Sequence, residues 1–146
     1  MELTLLTRLN EARAARKAAV VWTDIEGGGQ WLFVQGDGTA PDHLADAINA
    51  RLRSGKSGIE EVGGKQIFFN AQVPPPRLVI IGAVHISQAL APIAQLVNFD
   101  VTIIDPRTAF ATPERFPNVA LHADWPQEVL PGHPLDAYMA LAAVTH

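Results

Sequence analysis

Hydrophobic and polar positions in residues 1–73 switch between helical and strand periodicities, without a regular strand–helix alternation. Glu2–Arg16 is predicted to be an amphipathic helix, because apolar residues recur there at helical spacing through Leu3, Leu6, Leu9, Ala12 and Ala15. Later apolar runs predict four strands, and Gly63-Gly64 predicts a hairpin turn between the last two. The predicted strands are Ala19–Thr23, Trp31–Gln35, Gly58–Val62 and Lys65–Asn70. This pattern indicates a small α+β domain.

A second helix of this domain is predicted between Thr39 and Gly55. Thr39 and Asp42 have the spacing of a capping box at its start. Gly55 stands where a left-handed cap would end it. The helix is expected to bury Leu44, Ala47, Ile48 and Leu52.

A stiff linker of three prolines, Pro74–Pro76, precedes a change of pattern in residues 77–146. Continuous apolar runs now alternate with helical periodicity, as they do in parallel sheets. The predicted elements are strands at Leu78–Ile81, Val101–Ile104, Val119–His122 and Ala137–Thr145, a buried helix at Ile86–Val97 (apolar at Ile86, Leu90, Ile93, Ala94 and Val97) and a short helix at Pro126–Leu130. We therefore predict an α/β fold in which a Rossmann-type domain follows the small α+β domain.

The predicted Rossmann-type domain stops on a strand, with no helix after it to cover that strand. The domain is therefore expected to be incomplete at its C-terminus, or to be covered by a partner chain. An apolar strand in that position favours a homodimer.

Composition excludes several functional classes. The formal net charge is −4, so a generally basic nucleic-acid or membrane-surface binder is not expected. The chain has no cysteine, which excludes disulfides, iron–sulfur clusters and thiol catalysis. The uncharged stretch from Leu78 to Phe99 contains several polar residues that are costly in lipid. We expect a soluble, cytoplasmic protein.

The turn after the first strand of the Rossmann-type domain, Gly82–Ser87, occupies the place of a dinucleotide-binding glycine motif. Gly82 suits the tight turn, and Ser87 is small enough for close packing of helix on strand. Val84 stands where the second glycine should be, and its side chain obstructs the approach of a pyrophosphate. The site predicted here comprises Gly82, Ala83, Val84, His85 and Ser87. A tight turn that binds no ligand, with His85 merely exposed, is the alternative.

Three further candidates follow the second strand. Asp105 lies close to the usual offset of about 20 residues for an acid that binds ribose. Arg107 and Arg115 are two of the few cations in this half of the chain, and guanidinium groups suit phosphate. Ion pairs with Asp105 or Glu114 are the alternative role for the arginines. Thr112 is either a neighbour of the pocket or the N-cap of a helical turn.

Catalytic and metal-binding patterns are not legible in the sequence. His122, His133 and His146 lack the spacing of metal ligands, and no nucleophile–base pair is apparent. We therefore expect no metal ligand and no catalytic group, and a turnover enzyme is the less favoured alternative.

Three motifs resemble the Rossmann domain of the xanthine dehydrogenase accessory factor family, also called XdhC/CoxI-like. They are the run beginning Arg77-Leu78-Val79-Ile80-Ile81-Gly82-Ala83-Val84-His85, the run from Asp105 to Arg107 followed by Phe110–Phe116, and the closing Ala142-Ala143-Val144-Thr145-His146. Residues 41–76 resemble the family's N-terminal domain more loosely, through Arg53–Gly58 and the hairpin after it.

The resemblance implies a protein that binds molybdenum cofactor, as molybdopterin or its dinucleotide, and delivers it to molybdenum hydroxylases of the xanthine, aldehyde or carbon monoxide dehydrogenase type. By position, it implies that Gly82–Ser87, Asp105 and Arg107 line the pocket, with Thr112, Glu114 and Arg115 beside it. Longer members carry a Cys-Val-Glu element, which this chain lacks, so no thiolate can hold molybdenum here. The alternatives are an NAD(P)-binding oxidoreductase and a non-catalytic interaction module with a vestigial nucleotide pocket.

Overall fold

The computed structural model describes residues 2–144, which form two compact units that divide between Pro74 and Pro75. The N-terminal unit contains α1 (Leu3–Ala14), β1 (Ala19–Asp24), β2 (Gln30–Val34), α2 (Ala45–Ser54), β3 (Gly58–Val62) and β4 (Lys65–Gln72). Its four strands form an antiparallel sheet in the order β2-β1-β4-β3. Alternate residues of β1 therefore point to opposite faces of the sheet. Val20 and Trp22 pack with α2 on one face, and Ala19 and Val21 pack with α1 on the other.

Local predictions in the N-terminal unit are largely confirmed, with two corrections. The four strands and the hairpin turn at Gly63-Gly64 are present, and Gly55 closes α2 in the left-handed conformation. The apolar stripe of α1 is wrong in part: Leu9 and Ala12 are buried and Leu5 packs against the same cluster, whereas Leu3 is 78% exposed.

The capping box at Thr39 and Asp42 is also wrong. Asp42 lies inside a 3₁₀ turn that ends at Leu44, and the Leu44 N–H donates to the Pro41 carbonyl at 2.8 Å. This turn leads directly into α2, whose first residue is Ala45 and whose start has no side-chain cap. The fixed backbone of Pro41 thus provides the entry that a capping side chain would otherwise provide.

The C-terminal unit has the predicted α/β architecture. It contains β5 (Arg77–Ile81), α3 (His85–Leu96), β6 (Asp100–Ile104), β7 (Ala120–His122), α4 (Pro126–Val129), a 3₁₀ turn (Leu130–Gly132) and β8 (Met139–Ala143). Its strands are parallel in the order β7-β6-β5-β8, so the first strand along the chain is central and the direction of winding reverses beside it. This is the strand order of a Rossmann-type sheet, whose ligands bind at the carboxyl ends of the strands. The predicted fold class is confirmed.

The buried face of α3 differs from the prediction. Ser87, Ala91 and Ala94 face the sheet, whereas Ile86 and Ile93 are 63% and 59% exposed. Of the predicted apolar positions, Ala94 and the half-buried Leu90 pack on the core, whereas Ile86, Ile93 and Val97 are exposed. The helix is present as predicted, but the face that it buries is made mainly of the small side chains Ser87, Ala91 and Ala94.

The last predicted strand, Ala137–Thr145, corresponds to the shorter β8, and Thr145 and His146 lie outside the described residues. The uncharged stretch from Leu78 to Phe99 folds as β5 and α3. Within residues 2–144, no helix is long and apolar enough to cross a membrane.

Candidate functional site

The turn between β5 and α3 requires a glycine. Gly82 has φ +115°, and a Cβ added there would lie 3.2 Å from the Val144 carbonyl oxygen. Its N–H donates to the Ile104 carbonyl at 2.8 Å, which fixes the end of β5 against the end of β6. The predicted tight turn is therefore present, and it crosses the carboxyl edge of the sheet beside the segment that follows β8.

Two of the predicted site residues in this turn are completely buried. Ala83 and Ser87 have no exposed surface. The Ser87 hydroxyl donates to the Gly82 carbonyl, which ties the first turn of α3 to the glycine turn. Ser87 therefore has a structural contact in the protein.

Val84 and His85 lie at the start of α3. Val84 is the extended N-cap residue, and His85 is the first helical residue and is exposed. No side chain caps this helix end, and its first turn contains no acidic residue. The unpaired N–H groups and the helix dipole together make the start of a helix favourable for an anion.

Asp105 is the central charged residue of the carboxyl edge. It is 1% exposed, and both of its oxygens accept hydrogen bonds. Oδ1 accepts from the Arg107 N–H and from Arg107 Nε, each at 2.9 Å, and Oδ2 accepts from Arg107 Nη2 and the Ala83 N–H, each at 2.7 Å. These bonds, led by those of the Arg107 guanidinium, lower the Asp105 pKa from 3.8 to about 2 although burial opposes the shift. Asp105 is therefore ionised at neutral pH.

Arg107 uses one edge of its guanidinium for Asp105 and keeps its other edge toward solvent. Its side chain is half-exposed, and its Nη1 donates to no described residue. The guanidinium carbon lies 4.7 Å from the centroid of the Phe110 ring, which holds the side chain in place. The ion pair considered as the alternative role of Arg107 is thus present, and part of the guanidinium is still available to an anion.

Arg115 is engaged differently from Arg107. Its Nη1 donates to the Phe110 carbonyl and its Nη2 to Gln88 Oε1 on α3, both at 3.0 Å. It also lies 5.4 Å from the Phe110 ring centroid. Arg115 therefore braces the loop after β6 against α3, and the alternative ion pair with Glu114 is not formed.

Thr112 begins a helical turn in the same loop. Its carbonyl accepts the N–H groups of Arg115 and Phe116, each at 3.1 Å. The predicted helical turn is present, and the bonds that hold it go to the carbonyl oxygen of Thr112.

A cavity of about 290 Å³ lies at the carboxyl edge of the sheet. Gly82, Asp105 and Arg107 line it together with Trp125, a half-exposed residue just before α4. Sequence reasoning missed Trp125, and also Gln88 and Phe110 as the partners of the arginines. An aromatic residue three positions after the end of β7 was the available signal for Trp125. A larger cavity of about 520 Å³ lies near Arg77 and His133, and it contains none of the predicted site residues.

The structure thus brings Gly82, Asp105 and Arg107 together around one cavity, with Ala83 bonded to the carboxylate. Val84 and His85 lie at the adjoining start of α3, whereas Thr112 and Arg115 form the supporting loop. In the part of the chain that the structure describes, no three His, Asp or Glu side chains are grouped to hold a metal ion. The polar side chains that line the cavity are those of the Asp105–Arg107 ion pair, and Trp125 supplies an aromatic surface beside them.

Comparison with protein families decides what kind of domain carries this site. Residues 78–146 match the family model described as the XdhC Rossmann domain. The C-terminal unit is therefore similar to the Rossmann domain of the XdhC family over almost its whole length. The resemblance predicted from its motifs is confirmed.

Two further proteins are similar to this chain, one in sequence and one in fold. The chain is 34% identical over 79 residues to the uncharacterised protein YqeB of Escherichia coli (strain K12), an alignment that covers 49% of this chain. It also superimposes on a solved structure described as a xanthine dehydrogenase from Bacillus halodurans, with a TM-score of 0.62, 18% sequence identity and 94% of this chain covered. At that identity the likeness concerns the fold. The chain spans 15% of the length of YqeB and 43% of the solved chain.

Proposed function

We propose that this protein binds molybdenum cofactor as a cargo and presents it to the apo-form of a molybdenum hydroxylase. The XdhC Rossmann domain and the fold shared with a protein described as a xanthine dehydrogenase support a role in the maturation of such enzymes. The observation that carries the proposal is the uncapped start of α3 beside the outward edge of Arg107, at the ligand-binding edge of the sheet.

A pterin dinucleotide is a suitable cargo for this edge because it is large and carries a pyrophosphate. The backbone N–H groups at the start of α3 and the free edge of Arg107 are donors that suit phosphate oxygens. The Val84 side chain makes the turn bulkier than a glycine motif would be. A cargo can bind the N–H groups of α3 without approaching the backbone of the turn at Val84, as the pyrophosphate of NAD would have to.

The same geometry disfavours an NAD(P)-dependent oxidoreductase. A ribose hydroxyl usually donates to an acid at the position of Asp105. Here four donors already occupy the two carboxylate oxygens, so a ribose would have to displace Arg107 or Ala83. No specific observation favours hydride transfer, and the proposed function involves no turnover of substrate.

The metal of the cargo would be held by its own pterin dithiolene. The chain contains no cysteine, and the described residues offer no group of three ligands. The residues of the protein therefore act on the phosphate and pterin parts of the molecule. They bind and orient them, and the metal remains free for transfer to the enzyme.

The experiment is an equilibrium titration of the full chain with molybdopterin cytosine dinucleotide, molybdopterin, NAD and NADP, in which binding is measured by isothermal calorimetry. His85→Glu is the informative variant: an acid in the first turn of α3 stabilises the helix by about 0.3–1 kcal/mol yet repels an anion at that end. We expect unchanged or higher thermal stability and about tenfold weaker binding of the dinucleotide.

Arg77→Gln is the matched control, because Arg77 lies at the opposite end of β5. The control is expected to bind the dinucleotide as the unmodified chain does. If His85→Glu binds it equally well, the start of α3 does not hold the cargo. If the chain binds NAD in preference to the pterin, the NAD(P)-binding oxidoreductase becomes the favoured function. If neither binds, the interaction module is the better account.

We also propose that the chain self-associates through β8. Among the described residues, β8 pairs only with β5, and Leu141 on it is 42% exposed. An open apolar edge of this kind favours pairing with a second chain. Sedimentation equilibrium is expected to give a dimer that Leu141→Lys converts to a monomer, and a monomeric unmodified chain would rule this out.

A further inference from the structure

The N-terminal unit contains a stacked pair of tryptophans outside the site described above. Trp22 on β1 and Trp31 on β2 are directly opposite each other in the antiparallel pairing. Their ring centroids are 6.1 Å apart, and the ring planes differ by 19°. Trp22 is 8% exposed, whereas Trp31 is 49% exposed. A buried ring therefore supports a second ring that solvent can reach.

The glycine run after β1 is built around this pair and around Asp24. A Cβ added at Gly29 would overlap the Trp31 ring, and one added at Gly27 would lie 2.8 Å from Asp24 Oδ2. The backbone of the turn is thus packed directly against the tryptophan ring and the carboxylate. Any side chain at either glycine would displace one of these groups.

Asp24 in turn holds a lysine ammonium at the same place. Asp24 is 5% exposed, and its Oδ1 accepts the N–H groups of Glu26 and Gly27 at 3.1 and 2.8 Å. Its Oδ2 accepts from Lys65 Nζ at 2.8 Å. An ammonium has three donors, and Lys65 makes no other hydrogen bond with a described residue. Two donors of a fixed ammonium are therefore left at the surface.

A cavity of about 290 Å³ lies between the tryptophans and this ion pair. Apart from Asp24 and Lys65, its lining is mainly apolar: Trp22, Trp31, Pro41, His43, Leu44, Val62 and Ile67. A small, mostly apolar cavity with a few fixed polar groups is typical of a small-molecule site, and this volume is at the lower end of that class.

We propose that this pocket binds a small, planar nitrogen heterocycle, with its face on Trp31 and a ring carbonyl accepting from the Lys65 ammonium. The aromatic face favours a flat ring over a saturated one. Lys65 disfavours a cationic ligand, whereas the Asp24 carboxylate, which lines the same cavity, disfavours an anionic one. An uncharged ring that carries a hydrogen-bond acceptor satisfies all of these groups. The proposal concerns residues of the N-terminal unit alone and does not rest on the cofactor function.

Nuclear magnetic resonance of the indole N–H groups tests this proposal with the full chain, which has three tryptophans. The probes are uracil, its two-ring analogue quinazoline-2,4-dione, and 5,6-dihydrouracil, which keeps the carbonyls but has no aromatic face. We expect saturable shifts of the Trp22 and Trp31 signals with the two planar probes, with tighter binding of the larger one. The Trp125 signal, in the C-terminal unit, is expected to stay constant.

Trp31→Leu and Lys65→Gln are each expected to weaken binding by about tenfold. Lys56→Gln, at an exposed lysine of the same unit, is the matched control and is expected to have no effect. His85→Glu is also expected to leave these titrations unchanged, which separates this pocket from the proposed cofactor site. The proposal would be overturned if dihydrouracil gave equal shifts or if neither planar probe gave a saturable shift. It would also be overturned if Trp31→Leu and Lys65→Gln both bound the planar probes as tightly as the unmodified chain does.

Discussion

Arg107 and Asp105 form a two-pronged ion pair at the carboxyl edge of the parallel sheet. Nε of the arginine lies 2.9 Å from Oδ1 of the aspartate, and Nη2 lies 2.7 Å from Oδ2. The carboxylate is buried, whereas the guanidinium is half-exposed. Asp105 therefore holds the turn between β5 and α3 by accepting the Ala83 N–H. Arg107 is bound to the same carboxylate and lies partly in solvent.

Asp105→Asn is expected to destabilise the protein by about 2 kcal/mol. The neutral amide cannot accept all four hydrogen bonds, and its NH₂ group would face donors of Arg107 or Ala83. Denaturant unfolding of the variant measures the change. Asp100→Asn, at the exposed start of β6, is the control and is expected to change stability by less than about 0.5 kcal/mol. Equal effects of the two substitutions would contradict the structural role of Asp105.

Acid stability is expected to depend on the same carboxylate. Its pKa in the folded protein, about 2, lies below the unfolded value of 3.8, mainly because of the Arg107 guanidinium. The stabilisation is therefore fully present above about pH 4 and is lost as the pH falls toward 2. The free energy of unfolding should fall over this range in the unmodified chain, and the fall should be smaller in Asp105→Asn. Parallel curves for the two proteins would show that Asp105 does not titrate in this way.

Gly82→Ala is expected to cost about 1–3 kcal/mol. The residue would have to keep a φ near +115°, and its methyl group would press on the Val144 carbonyl. Thermal unfolding gives the comparison with Gly132→Ala, where an added Cβ meets no atom within 4 Å. A Gly82 variant as stable as the Gly132 variant would mean that the turn has another conformation.

The orientation of α3 is tested by substitutions on its two faces. Ala91 is 3% exposed, so Ala91→Leu should overpack the contact with the sheet and cost about 1–3 kcal/mol. Ile93 is 59% exposed, so Ile93→Ala should change stability by less than about 0.5 kcal/mol. Chemical denaturation measures the free energy of unfolding of both variants. A larger loss for Ile93→Ala than for Ala91→Leu would support the orientation predicted from the sequence.

The features that sequence predicted well are those fixed by neighbouring residues. Apolar runs mark β5 and β6, and the Gly63-Gly64 pair marks the hairpin, because strand burial and turn geometry act over a few residues. The motifs after β5 and β6 also indicated the family, which the domain match confirms.

The features that sequence missed depend on contacts between distant elements. Ile93 fits a helical stripe as well as Ala94 does, and only packing against the sheet selects the small residue. The stack of Trp22 on Trp31 depends on strand register, which periodicity does not specify. Likewise, the sequence was consistent with either a phosphate or a carboxylate as the partner of Arg107. Only the direction of the side chain in the structure shows that it binds Asp105.

The most direct test of the proposed function is a map of backbone amide shifts on addition of molybdopterin cytosine dinucleotide to the ¹⁵N-labelled full chain. The account predicts that the largest shifts occur at Val84–Ser87 and at Arg107, at the carboxyl edge of the sheet. Saturable shifts confined to any other region, or no saturable shifts, would contradict the claim that this edge holds the cofactor.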